Sequence, residues 1–207
     1  SKVSGSNRAF SFNQASDMEF NFYENIIPAE GLSQRGFISP IASSALFYYR
    51  DRLEGSFYEN GHWINKIAVL PKRKGDPVFE GFIFIQDSTW RIHSTDLWLT
   101  KDAQIQFVDT LRVIQVYIPA NKNEDIWLQG SVTFQFVFSF MGFEGDGNFV
   151  GVFSGYDVNP GFENKQFKGN VMKINEDANK RDTTYWEMMR PIPLTLEESA
   201  DYLKRDS

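Results

Sequence analysis

Apolar and polar residues alternate most regularly between Val132 and Phe140. Every even position in this run is apolar, whereas Thr133, Gln135 and Ser139 are polar. Side chains on a strand point alternately to its two faces, so the run predicts a strand whose aromatic side chains share one face. These aromatic residues, which we call the phenylalanine ladder, are Phe134, Phe136, Phe138 and Phe140. An antiparallel sheet with one packed and one hydrated face has this pattern, so something apolar must cover the ladder.

Further strand patterns follow one another along the chain with short turns between them. A hairpin is predicted at Asn60-Gly61, a dipeptide preferred in tight two-residue turns. A glycine-rich turn is expected at Gly142–Asn148, directly after the ladder. Successive strands joined by short turns form an antiparallel meander. The other predicted strands are Met18–Phe22, Ser56–Glu59, His62–Leu70, Val78–Gln86, Trp90–Thr100, Ile105–Ile118 and Phe149–Tyr156.

Two parts of the sequence predict helices that could cover the ladder. Ser39-Pro40 combines a good N-cap with a residue suited to the first helical position, so a helix is expected over Ser39–Leu53. Further helices are expected at Asp182–Arg190 and from Thr195, which forms a capping box with Glu198. We therefore expect an α+β fold, with a large, curved antiparallel sheet and a few helices packed on one side.

The chain length and the polar start suggest a simple domain organisation. Residues 1–17 are polar and rich in serine and asparagine, which predicts a flexible lead-in. Residues 18–207 are expected to form a single domain, because 207 residues suit one core. The chain does not open with a signal-peptide pattern, and we expect it to be a module excised from a larger protein.

Composition and charge exclude several classes of partner and of chemistry. The chain is 42% hydrophobic and 23% charged, as in ordinary globular proteins. Its net charge of −6 argues against nucleic acid as a partner, because phosphate binding needs a basic surface. The short basic run Lys72–Lys74 is interpreted as a solvated turn. The chain has no cysteine, which excludes disulfides and thiolate chemistry.

The residues that usually carry catalysis are scarce. His62 and His93 are the two histidines of the chain, and they lie too far apart in sequence to form a local metal-binding pair. The acidic run Glu144–Asn148 lacks the spacing of a calcium loop and its closing glutamate. We therefore predict no catalytic residue, no metal site and no cofactor, and expect the chain not to be an enzyme.

Two binding surfaces remain open at this point. The ladder residues could form a hydrophobic ligand-binding site, although filling by core side chains explains the same pattern. The five tryptophans could form stacking platforms for sugars if they are exposed together, and packing in the core or at its rim is the other interpretation. They are Trp63, Trp90, Trp98, Trp127 and Trp186.

Several segments resemble one family of large outer-membrane proteins of Gram-negative bacteria. Members carry an N-terminal carboxypeptidase-regulatory-like domain, a middle domain of unknown function and a C-terminal β-barrel. The chain is similar to the middle domain over most of Gly36 to Ser207. The matching segments are Gly36–Ile41, Leu46–Arg50, Ile67–Arg73, Trp90–Ser94, Phe107–Leu111 and Tyr185–Glu198. The resemblance implies a location on the periplasmic side of the outer membrane, and it supplies no catalytic residues.

The fold also resembles the lipoprotein carriers of the LolA type. Those proteins have a half-barrel of antiparallel strands, with helices that close its open side over an acyl-binding cavity. The similarity covers the strands Val78–Gln86 and Trp90–Leu99. It implies a half-barrel here, with the phenylalanine ladder on the covered face.

Together these observations lead to one functional expectation and one alternative. We expect a non-enzymatic periplasmic module of an outer-membrane protein, acting in cell-envelope assembly or in binding a lipid or a protein partner. Its further partners would be the accessory domain and the β-barrel of its own polypeptide. The alternative is a glycan-binding module that uses exposed tryptophans.

Overall fold

A computed structural model describes residues 20–29, 31–121, 126–140, 143–159, 161 and 184–185, with the side chain of Phe140 left out. The chain divides into a compact unit of residues 16–163 and a second unit of residues 1–15 and 164–207. Thr184 and Tyr185 are helical. The rest of the predicted C-terminal helices, the predicted lead-in and Trp186 lie outside the described residues.

Most of the described chain is a seven-stranded antiparallel sheet that does not close into a barrel. The strands follow one another in the sheet in chain order, as the meander prediction requires. A separate hairpin of two strands precedes them. The hairpin strands are β1 (Ile26–Ala29) and β2 (Ser33–Ile38), and the sheet strands are β3 (Tyr49–Glu59), β4 (His62–Pro71), β5 (Glu80–Gln86), β6 (Ile92–Thr100), β7 (Thr110–Pro119), β8 (Trp127–Phe140) and β9 (Phe143–Val152). The described part of the fold is therefore mainly β rather than α+β.

The helix predicted over Ser39–Leu53 is wrong. Only one turn, α1 (Ala45–Tyr48), is helical, and β3 begins at Tyr49. The residues expected to continue the helix instead pair with β4, where Tyr49 faces Pro71 and Leu53 faces Ile67. This pairing outweighs the local helix preference, which is only a weak prior.

Three hydrogen bonds hold the chain in place around this turn. The predicted N-cap Ser39 is buried and donates its hydroxyl to the carbonyl of Phe22 over 2.5 Å. The buried Tyr49 hydroxyl donates to the carbonyl of Ile38 and accepts the amide of Phe79 at 3.1 Å. Burial raises the pKa of this phenol, so it keeps its proton as donor. All three bonds join residues at least 11 positions apart in sequence, which is why local patterns did not show them.

The segment before β3 covers the ladder face of the sheet. Phe20 and Phe22 lie outside regular strands, contrary to the predicted strand Met18–Phe22, yet both are buried. Phe79 is fully buried among Phe22, Phe37 and Phe20, with ring centroids 5.2, 5.7 and 6.4 Å away. Such edge-to-face contacts are favourable arrangements of aromatic rings. Among the described residues, the cover is therefore this segment with its small hairpin and not a long helix.

Buried polar groups join the cover to the sheet. Gln115 is fully buried on β7, where its side-chain amide donates to the carbonyl of Phe20 at 2.6 Å. Its side-chain oxygen accepts the Tyr117 hydroxyl at 3.0 Å. A buried amide without partners would be costly, so these bonds fix where the cover lies on the sheet.

Candidate functional site

The phenylalanine ladder changes from fully to partly buried along β8. Phe134 is 2% exposed and packs against Phe20 and Phe149, with ring centroids 5.4 and 6.4 Å away. Phe136 and Phe138 are partly buried against the same core. Phe140 belongs to β8, but its side chain lies outside the described part. Side chains of the chain itself therefore fill the ladder face around Phe134, and a hydrophobic ligand at the ladder stays a prediction.

Glycines on the neighbouring strand make room for the outer ladder rings. The stretch expected to be a glycine-rich turn is the first half of β9, so that expectation is wrong. Gly147 faces Phe136 and Gly145 faces Phe138 across the two strands. A Cβ at either glycine would lie 2.5 Å from the Cζ atom of the facing ring. The glycines thus let the rings lie over the backbone of β9, a close approach that any other residue would obstruct.

Both histidines of the chain meet at the end of the sheet that holds the β3–β4 turn. The ring centroids of His62 and His93 lie 5.9 and 6.5 Å from that of Trp127. Glu59, which faces His62 across the hairpin, places a carboxylate oxygen 3.5 Å from Nε2 of His93. We call these four residues, Glu59, His62, His93 and Trp127, the histidine–tryptophan anchor.

The anchor shows that the sheet curls at this end. His62 is on β4 and Trp127 is on β8, with three strands between them. Four strand spacings of a flat sheet amount to about 19 Å, more than two side chains can span. The 5.9 Å between the two rings therefore requires the strands to bend toward one another. Sequence spacing could not reveal this site, because its residues converge only through that curvature.

Burial dominates the electrostatics of the anchor. It lowers the pKa of His93, and the nearby His62 lowers it further, while Glu59 opposes both by favouring the charged ring. His93 is therefore held mainly neutral at pH 7, packed against Trp127. The described residues include no group of three potential ligands arranged to hold a metal ion.

An exposed aromatic pair lies directly beside the anchor. Tyr58 on β3 and Trp63 on β4 face each other, with ring centroids 5.5 Å apart at an interplanar angle of 63°. They remain 62% and 56% exposed. We call this pair the aromatic platform. Both rings therefore leave large apolar surface in contact with water.

A chain of hydrogen-bonded polar side chains runs from β3 through β4 to the turn after β5, next to the platform. Ser56 on β3 donates to the side-chain oxygen of Asn65 on β4 at 2.5 Å. The amide nitrogen of Asn65 donates to a carboxylate oxygen of Asp87 at 2.9 Å. Strand alternation puts Ser56 on the same side as Tyr58, and Asn65 on the same side as Trp63. We call Ser56, Asn65 and Asp87 the polar row.

The other tryptophans have separate surroundings. Trp90 is 73% exposed on the turn between β5 and β6, which follows the polar row directly at Asp87. Trp98 is half-buried on β6 and donates its indole N–H to Glu80 at 2.6 Å. Two tryptophans, Trp63 and Trp90, are therefore exposed at the same end of the sheet. The glycan interpretation, which needs tryptophans exposed together on one surface, stays a prediction.

Charged groups at the opposite end pair with each other. A cleft of about 300 Å³ there is lined by Lys72, Arg73, Lys74 and Trp98. Arg73 forms an ion pair with Asp76 at 3.0 Å, and Lys74 forms one with Asp102 at 3.1 Å. These exposed pairs fit the predicted solvated turn, and exposed pairs of this kind contribute little stability.

The described part of the chain contains no helix with the length and apolar character needed to span a bilayer. Comparisons with curated proteins and with solved structures gave no match. The family model described as "Family of unknown function (DUF5686)" matches residues 1–156, which is most of the chain. The matched range includes the whole of the sheet, the anchor and the platform. The chain therefore belongs to this family of unknown function, DUF5686.

Proposed function

We propose that this domain is a non-enzymatic glycan-binding module of a cell-envelope protein. The observation that carries the proposal is the exposed platform of Tyr58 and Trp63 beside the polar row. Large exposed aromatic surface next to convergent polar groups is a feature of binding sites. Two members of the polar row, Ser56 and Asn65, lie on the same two strands as the platform and on the same side, so one ligand can reach both.

The chemistry of the surface suits a carbohydrate. A pyranose ring has an apolar face of C–H groups that packs on an aromatic ring, and hydroxyls around its edge that need donors and acceptors. Tyr58 and Trp63 supply the aromatic surface. Asn65 supplies both an amide donor and a carbonyl acceptor, and the Asp87 carboxylate can accept several hydrogen bonds. Because the platform residues are more than half exposed, the surface is open and accommodates a chain of sugars.

The position of the two histidines favours binding over catalysis, because both serve to pack the sheet. Both imidazole rings contact Trp127, so both contribute to packing at this end of the sheet. In this proposal the module lies on the periplasmic side of the outer membrane. Its partners there are the β-barrel and the accessory domain of the same polypeptide, as the family resemblance implies.

A binding screen with one substitution tests the proposal. A glycan array of neutral, acidic and amino-sugar oligosaccharides should identify a ligand, and calorimetry should then give its Kd. Trp63→Ala should weaken that binding roughly tenfold or more, since truncated aromatic anchors are the costliest changes in binding sites. Phe107→Ala is the matched control, because Phe107 is an aromatic residue that is also 75% exposed, on the loop before β7 at the opposite end of the sheet. Retention of full affinity by Trp63→Ala, or no glycan bound by the unmodified domain, would contradict the proposal.

A second candidate is the binding of a lipid or an envelope protein. It is favoured by exposed apolar residues on and after α1, where Leu46 and Phe47 are 74% and 75% exposed and Leu53 is 64% exposed. Native mass spectrometry of the domain purified without detergent should then show bound acyl species. The double substitution Leu46→Ser and Phe47→Ser should remove them. A spectrum without any acyl adduct would rule out lipid capture.

A further inference from the structure

The tip of the β3–β4 hairpin presents different residues on its two sides. Tyr58 faces Trp63, and the next pair, Glu59 and His62, comes immediately before the turn. Neighbouring residues on a strand point to opposite sides. The aromatic platform therefore points one way, while the Glu59–His62 pair points toward His93 and Trp127.

The tip extends past the end of the backbone pairing between β4 and β5. Pairing between β4 and β5 ends at Ile64 and Gln86, so His62 and Trp63 extend past the last paired residues of β5. One further backbone bond, from the Asp87 amide to the Trp63 carbonyl at 2.9 Å, reaches this level. A two-stranded ribbon is marginally stable on its own and twists strongly. Contacts made by the inward side of the tip, together with the polar row, therefore help to set the position of the aromatic platform.

We propose that the histidine–tryptophan anchor is a positioning device for the glycan surface. His62 and Glu59 hold the tip against Trp127 and His93, and so set the position of Tyr58 and Trp63 relative to the polar row. This inference rests on the proposed function, since it assigns positioning residues to that same site. His62 acts through Trp63, its chain neighbour, and need not touch the sugar.

The test compares three variants of the whole chain. His62→Ala removes the ring contact with Trp127 and should weaken glycan binding about three- to tenfold, because the platform must then be ordered at the moment of binding. His62→Phe keeps an aromatic ring against Trp127 and should restore the affinity. Arg50→Ala is the control, since Arg50 is exposed on the same strand but far from the tip.

Amide hydrogen exchange separates positioning from general loss of stability. In His62→Ala, exchange should accelerate at residues 58–63 while the central strands keep their protection. Unchanged amide exchange at the tip would contradict the positioning role of the anchor, whichever ligand the domain binds. Glycan affinity unaffected by His62→Ala but lost in Trp63→Ala would also overturn it and leave the proposed function in place. If Trp63→Ala binds as well as the unmodified domain, the proposed function fails, and with it the role of the anchor.

Discussion

Gly145 and Gly147 show how single residues determine the packing of the ladder. Each faces a phenylalanine of β8, and each leaves the volume in which the ring lies. Glycine recurs at every second position in this part of β9 because phenylalanine recurs at every second position in the facing part of β8. Both patterns are visible in the sequence, but their relation depends on the register between the two strands.

Substitution of Gly147 by alanine should destabilise the domain. The added Cβ would lie 2.5 Å from the Cζ atom of Phe136, so the ring must leave its place. Overpacking of this kind costs about 1–3 kcal/mol of unfolding free energy, measurable by urea denaturation. Gly161→Ala is the control, because a Cβ there meets nothing within 4 Å. Adding Phe136→Leu to Gly147→Ala should recover part of the loss, and additive effects of the two substitutions would contradict the packing explanation.

At the scale of elements, the hairpin turn is the best predicted feature. Asn60 and Gly61 have φ angles of +47° and +87°, as a tight turn with two left-handed residues requires. Asparagine and glycine adopt such angles with the least strain. The turn was predictable because two adjacent residues determine it.

Alanine at Gly61 should loosen the hairpin tip. The left-handed backbone conformation at position 61 costs a residue with a Cβ about 1 kcal/mol of folding free energy. No neighbouring atom obstructs the added Cβ. The unfolding free energy should fall by about that amount, with faster amide exchange at residues 58–63. Ser88→Ala is the comparison, since it lies on another exposed turn with ordinary backbone angles. A protein as stable as the unmodified one would show that the tip relaxes without strain.

Other elements were not predictable from local pattern. The stripe of apolar residues after Ser39 fits a helix by itself, but Tyr49–Leu53 has a ten-residue partner strand in β4. The Phe20–Phe22 stretch has the alternation of a strand, yet its rings are buried as part of the cover. In both cases contacts between distant residues decide the backbone conformation. The anchor is the extreme example, because its four residues come from four strands.

At the scale of the whole molecule, His93 links stability to pH. Burial lowers its pKa in the folded state below 6.5, so the unfolded chain binds the proton more tightly. The stability that His93 contributes is therefore complete above pH 6.5 and is lost as the pH falls through the lowered pKa. Urea midpoints measured from pH 8 to pH 5 should decline more steeply for the unmodified domain than for His93→Gln. A steeper decline in His93→Gln would mean that the ion pair with Glu59 dominates instead.

The anchor has one more consequence for the molecule. The chain contains two histidines, and both belong to this contact. Any imidazole resonance of the domain in a proton NMR spectrum therefore comes either from the hairpin tip or from the strand that it contacts, without isotopic labelling or assignment of the other residues. Addition of an oligosaccharide that occupies Tyr58 and Trp63 should shift these two signals, which makes the histidines a built-in reporter of occupancy on the opposite side of the ribbon.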